Sequence, residues 1–409
     1  MSARLAGVAI RHGEAAKLIF YSLFSQQYGG KSSAGIVSQG DSELLLKADR
    51  GLVIHIFSPE DIEKLKGDIA IGQNSSSFEI SQPRIIKSHW GEIAICADTD
   101  EDTFKQFTRA LRKRKGAFDL ALDKIARELF GPYAFLILCL GRIYALRGDG
   151  RKPLFFGRIN DVGYAVASQE NAIRAIGGSQ IRAIEPGEQI VFDTKSYQSK
   201  LLFSVRRCMH EIIFTQPPDS YWGGRSIYGI RYKIGAALAG IFHKVGYSAD
   251  FIYPIPLGGN PYAEGMAARL NVKYDRGIIK NMYPRLGSMP LSKFINLANP
   301  DAICGKSIIL VNDSLQSGEE TRYITHLCRE AQAREIHVAT ASLSLSYGQY
   351  GCEQPLGLMG LNKSFDEIAQ ELNATSFITL KPWQILRSMG VPKNVFCMEC
   401  LCESKAPTA

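Results

Sequence analysis

Ser307-Ile-Ile-Leu-Val-Asn-Asp-Ser-Leu-Gln-Ser-Gly-Glu-Glu-Thr321 is the stretch that decides the fold of the second half of the chain. An apolar run without polar alternation belongs to a strand buried on both faces. It ends in Asn-Asp-Ser, passes a Ser-Gly turn and opens a helix with two glutamates. Outward from it, residues 251–256 and 335–343 are runs of the same kind, and helical spacing covers 261–270 and 319–333. Strands that alternate with helices predict a doubly wound parallel sheet, an α/β domain.

The first half has a different pattern. Short β-rich runs at 5–10, 34–37, 44–47, 69–72, 92–96, 133–140 and 189–192 are separated by turns, and apolar spacing near 3.6 predicts helices over 16–27 and 103–129. This predicts an α+β layered sandwich. The boundary falls between Lys200 and Ile227, with the Pro- and Gly-rich segment Phe214-Thr-Gln-Pro-Pro-Asp-Ser-Tyr-Trp-Gly-Gly-Arg225 as the connection.

The 409 residues suffice for two domains, and 45% hydrophobic content fits a globular protein. The N-terminus lacks the apolar run of a signal peptide, and no window suits a membrane span, so the expectation is a cytoplasmic chain with no membrane partner. The net charge of +8 is dispersed, and its densest run, 109–115, reads as a solvated helix face, so no nucleic-acid partner is expected. Nine cysteines in a reducing compartment point to metal or cluster ligation more than to disulfides. Cys96, Cys139, Cys304 and Cys328, in or beside apolar elements, read as core residues. Cys397, Cys400 and Cys402 fall in a terminal segment with little core expected around it.

Many short segments carry a family resemblance in the right order: Ser32-Ser-Ala-Gly-Ile36, Gly51-Leu-Val53, Gly131-Pro-Tyr-Ala-Phe135, Ala167-Ser-Gln-Glu170, Glu185-Pro-Gly-Glu188, Gly277-Ile-Ile-Lys-Asn281 and Ile309-Leu-Val-Asn-Asp-Ser314. With these, residues 5–402 resemble the iron-sulfur type of the glutamine phosphoribosylpyrophosphate (PRPP) amidotransferases. The resemblance implies an N-terminal-nucleophile hydrolase-like four-layer sandwich over 1–203, a connection over 204–226, a type I phosphoribosyltransferase-like domain over 227–386 and a cysteine-bearing segment over 387–409.

The residues that carry the family's chemistry depart from its pattern. Its opening Cys-Gly-Val reads Ala6-Gly-Val8, so a methyl group stands where the nucleophilic thiol belongs. Ser2, exposed by removal of Met1, is a remote substitute for it, four residues before Ala6. The family's His-Arg-Gly-Gln reads Tyr28-Gly-Gly-Lys31, and its Gly-His-Val-Arg-Tyr, whose arginine clamps glutamine, reads Gly72-Gln-Asn-Ser-Ser76. Its His-Asn-Gly-Asn, which supplies the oxyanion hole, reads Ala97-Asp-Thr-Asp100, and an aspartate repels an oxyanion.

In the PRPP loop, Val-Asp-Asp-Ser reads Val311-Asn-Asp-Ser314, and Arg-Gly-Thr-Thr reads Ser317-Gly-Glu-Glu320. The diphosphate loop reads Pro256-Leu-Gly-Gly-Asn260, and the lid's Lys-Asn-Arg-Tyr reads Lys280-Asn-Met-Tyr283, with Arg285 as a stand-in. Asn312, Asp313, Ser314, Ser317, Gly318, Gly258, Lys280 and Arg285 thus form the candidate pocket for a nucleotide or phosphate, with Mg2+ only where PRPP chemistry persists.

The resemblance also implies that Cys208, Cys352, Cys397 and Cys400 hold a 4Fe-4S cluster, with Cys402 an alternative to Cys400 and zinc an alternative occupant. Cys208 lies in Arg207-Cys-Met-His-Glu-Ile-Ile-Phe214, which matches the family at the cysteine, Glu211 and Ile213. The expectation for the whole is a degenerate paralogue, leaning away from catalysis, that forms a homo-oligomer or assembles with an active amidophosphoribosyltransferase. Ammonia-dependent phosphoribosyl transfer, an active amidotransferase and redox sensing are the alternatives.

Overall fold

The computed structural model describes residues 3–401 apart from 12, 42, 77–82, 130, 282–294 and 345–356. It forms two compact units, Met1–Cys208 and Met209–Ala409.

Strand Ala3–Ile10 shows how the layers of the first unit arise, because successive strand side chains point to opposite faces. Ala6, Val8 and Ile10 enter the core under helix Ala15–Ser25, whereas Leu5 and Ala9 enter the core between two sheets. This strand is central in a seven-stranded antiparallel sheet ordered Gly178–Ala183, Phe155–Ile159, Gly163–Ala167, Ala3–Ile10, Ile69–Ser75, Ser33–Gln39 and Leu44–Arg50. The facing sheet has six strands ordered Tyr197–Leu201, Glu188–Phe192, Arg142–Arg147, Ala134–Cys139, Gly91–Asp98 and Arg84–Ser88. Helices Glu101–Lys113 and Phe118–Glu128 cover its outer face through Phe104, Phe107, Leu122 and Ile125. The result is the expected four-layer sandwich.

Two local expectations need correction. The single helix over 103–129 is two helices, broken at a turn where Gly116 takes φ 92°, a conformation that ends a right-handed helix. Asp100 starts the first by accepting the Thr103 N–H at 2.8 Å. Strands such as Tyr197–Leu201, an exposed edge, and the Gly- and Ala-rich Gly163–Ala167 lack an apolar alternation that sequence could reveal.

The second unit is built on a five-stranded parallel sheet ordered Lys273–Tyr274, Phe251–Pro254, Ser307–Leu315, Glu335–Leu343 and Ser376–Thr379. Helices Ile227–Val245 and Asn260–Leu270 pack closely through glycines. A Cβ on Gly235 would lie 2.0 Å from the Tyr262 carbonyl oxygen, and one on Gly265 2.0 Å from that of Tyr232.

From Met209 on, the segment read as a connection packs within this unit. Met209, Ile212 and Ile213 are fully buried, Tyr262 donates to the Ile213 carbonyl at 2.8 Å, and Arg231 donates to the carbonyls of Ile212 and Gln216 at 2.9 and 2.7 Å. As far as Leu401 the C-terminal segment is also anchored, since Phe396, Cys400 and Leu401 are buried in the same core. Cys96, Cys139 and Cys328 are core residues as expected, but Cys304 is exposed because it lies in the turn after Pro300–Ala302.

Candidate functional site

Ala6 lies at the middle of its strand, opposite Gly72 on one side and Ala167 on the other, and is completely buried. Ladder pairing continues upstream to Ala3 opposite Ser75, about 10 Å from Ala6 along an extended chain. The backbone of Ala6 is therefore inside a continuous sheet. Ser2 lies outside the described residues.

The neighbouring positions are occupied by structural bonds. Asp98, at the end of strand Gly91–Asp98, has its buried carboxylate 3.1 Å from Lys152 Nζ and accepts the Ala3 N–H at 3.3 Å. The Gln73 amide spans the two sheets, donating to the Ala97 carbonyl at 2.9 Å and accepting the Ala97 N–H at 2.8 Å. Asn74 donates to the Leu23 carbonyl at 3.0 Å, which ties down the end of helix Ala15–Ser25. Ser75 is buried within the sheet, opposite Ala3. Sequence reasoning named Asp98 but missed Lys152, because 54 residues separate the partners.

In the second unit the parallel sheet brings the candidate pocket together at the carboxyl end of strand Ser307–Leu315, the usual place for ligands on such sheets. Asn312 turns its side-chain carbonyl onto the Asp313 N–H at 2.9 Å, and Ser314 Oγ donates to Asp313 Oδ1 at 3.1 Å. Burial holds the Asp313 carboxyl above its ordinary range, against the opposing pull of Arg231 and Ser314. A Cβ on Gly258 would meet Asp313 Oδ2 at 2.1 Å, so the loop 256–260 touches this carboxyl. Leu257 in that loop takes φ 77° while exposed, a strained conformation for a branched side chain.

Gly318, with φ 71°, caps helix Glu319–Glu330, whose first turn carries Glu319 and Glu320. Glu320 pairs with Lys280 at 2.8 Å, while Ser317 Oγ lies 3.5 Å from the Glu319 N–H. The helix N-terminus thus already has carboxylates, and the lid lysine already has an anionic partner. Arg285 lies outside the described residues.

Cys397 ends strand Phe396–Cys397 and Cys400 lies in the 3-10 turn Glu399–Leu401. Cys208 is buried at the end of the first unit, and Cys352 and Cys402 lie outside the described residues. Among the described residues, no group of three or more His, Cys, Asp and Glu is gathered to hold a metal. His210 Nε2 is 3.0 Å from Cys400 Sγ, a contact that sequence reasoning missed although His210 stands in the Cys208 motif. Burial pushes its imidazole down to about 4, so the ring is neutral at pH 7. Cys139 and Cys328 are pushed up to about 12 by burial, as inert core thiols are.

No family model matches the chain. It is 30% identical to the amidophosphoribosyltransferase of Archaeoglobus fulgidus, with 98% of this chain and 97% of that protein covered. The amidophosphoribosyltransferase of Bacillus subtilis is 28% identical, with 95% of this chain and 90% of that protein covered. A solved structure described as the allosteric regulatory enzyme of purine biosynthesis matches with a TM-score of 0.87 at 24% identity, covering 100% of this chain and 96% of that one. A glutamine PRPP amidotransferase from Bacillus subtilis, complexed with ADP and GMP, matches with a TM-score of 0.85 at 25% identity, covering 100% and 97%.

Proposed function

This chain belongs to the amidophosphoribosyltransferase family, and from that premise we propose that it is a noncatalytic or regulatory member in purine biosynthesis. In this reading it neither hydrolyses glutamine nor efficiently makes 5-phosphoribosylamine, and it assembles with itself or with an active amidophosphoribosyltransferase. What supports this reading is the ion pair between the buried Asp98 and Lys152, a carboxylate at the position where the family's pattern has an oxyanion donor.

Cys208, Cys352, Cys397 and Cys400 would hold a 4Fe-4S cluster. Thiolates are the right donors, and the Cys397-x-x-Cys400 turn beside a ring nitrogen is a suitable environment. The cluster would tie distant parts of the chain together, and zinc is the competing occupant of a four-thiolate set. A second reading, ammonia-dependent phosphoribosyl transfer with Mg2+, draws on the surviving Asp313, Ser314 and Lys280.

The test uses the chain purified without oxygen, with iron, sulfide and zinc quantified first. Glutamate release from glutamine in the presence of PRPP is expected to stay at background, and release above background overturns the noncatalytic reading. Pyrophosphate release with ammonium and Mg2+ replaces it by the second reading. Zinc without iron and sulfide removes the cluster.

A further inference from the structure

We infer that His210 donates its Nε2–H to the sulfur of Cys400 when that sulfur is a cluster ligand, which makes His210 a positioning residue that sets the cluster's potential and lifetime. The inference rests on the cluster reading above, but its evidence lies in a residue that the family resemblance does not carry. In Arg207-Cys-Met-His-Glu-Ile-Ile-Phe214 the likeness to the family is at Cys208, Glu211 and Ile213, and the histidine between them is this chain's own.

Geometry assigns the direction of the bond. His210 Nε2 is 3.0 Å from Cys400 Sγ, shorter than the separation of about 3.5 Å for a nitrogen and a sulfur that share one tetrahedral metal with bonds of about 2.0 and 2.3 Å. The distance therefore fits a hydrogen bond better than joint ligation. A sulfur bound to iron is a thiolate and can only accept, so the imidazole must be the donor. The other ring nitrogen, Nδ1, is buried with no hydrogen-bond partner among the described residues, so Nε2 is the ring nitrogen engaged with the sulfur.

The ring is also held in place. It packs against Phe214 with centroids 4.9 Å apart, and this phenylalanine lies in the π-turn Glu211–Thr215, whose Ile212 and Ile213 are fully buried. Cys400 itself is buried beside Leu401 in the core of the second unit. A donor held by this ring contact against a buried sulfur exerts a strong effect on the sulfur's charge. Hydrogen bonds to cluster sulfurs favour the more negative, reduced state and so raise the reduction potential.

The experiment uses the full chain purified without oxygen, in wild-type, His210→Phe and His210→Gln forms. Iron and sulfide are quantified first, then the midpoint potential is measured by redox titration, and the loss of visible absorption is followed in air. His210→Phe is expected to hold the cluster at a lower midpoint and to bleach several-fold faster, with His210→Gln, which keeps an N–H, recovering part of both. A wild-type midpoint in a fully loaded His210→Phe overturns this inference and leaves the cluster reading standing. Wild-type protein without iron and sulfide overturns both. If His210→Phe does not accumulate as folded protein, His210→Ala poses the same question, and a wild-type midpoint there is equally fatal.

Discussion

Replacing Lys152 by methionine tests whether the Asp98–Lys152 pair serves folding. The Asp98 side chain is 4% exposed and that of Lys152 17%, with 3.1 Å between their charged atoms. Lys152→Met keeps the aliphatic stem but leaves Asp98 with the Ala3 N–H at 3.3 Å among its remaining contacts. Breaking a buried pair from one side costs about 3 to 5 kcal/mol, because the other charge stays buried without compensation. For a unit of roughly 200 residues this lowers the melting temperature by roughly 10 °C. Asp98→Asn is expected to cost only about 1 kcal/mol, since the lysine can extend toward water. The double variant should recover most of the loss, as a neutral pair leaves no orphan charge. Scanning calorimetry on the four proteins gives the coupling directly. If Lys152→Met stays within about 1 kcal/mol of wild type and the coupling is zero, the pair is a solvated contact of little consequence. The reading of this pocket as a structural remnant then fails.

Three further outcomes follow from the second unit. Burial raises the Asp313 carboxyl above its ordinary 3.8, so the native state holds that proton more tightly than the unfolded chain and loses stability as pH rises through this window. Asp313→Asn should therefore be more stable than wild type at pH 7, with the gain vanishing below pH 3.8, and a pH-independent difference in denaturant midpoints would contradict this. Gly235→Ala puts a methyl 2.0 Å from the Tyr262 carbonyl and should cost about 2 to 3 kcal/mol in urea unfolding; a cost near zero would mean the two helices can separate freely. Glu320→Thr frees Lys280 and removes a charge from the helix N-terminus, so calorimetry should find pyrophosphate binding about tenfold tighter, or about 1.4 kcal/mol, and unchanged binding would place the anion elsewhere.

The departures from the family's pattern were legible in residue types alone. Ala6 has no nucleophilic atom and Asp98 no donor proton when ionised, whatever the fold around them. Apolar continuity likewise revealed the parallel strands around Ser307–Leu315, because a strand buried on both faces cannot alternate. The helix over 103–129 was misread at Gly116, where one backbone angle overrides a good apolar period. The depth of the C-terminal turn was missed because Phe396 and Leu401 have their core in residues far away in sequence.

By itself the sequence determined the strand and helix periods, the order of the two units and where residue types depart from the family's pattern, since all of these depend on local residue chemistry. The tertiary structure alone decided what the remaining polar groups do. Asp98 meets Lys152 across 54 residues, Lys280 meets Glu320 across 40, and His210 meets Cys400 across 190. These pairings depend on strand register and helix packing, which arise only when the whole core assembles and no local pattern encodes.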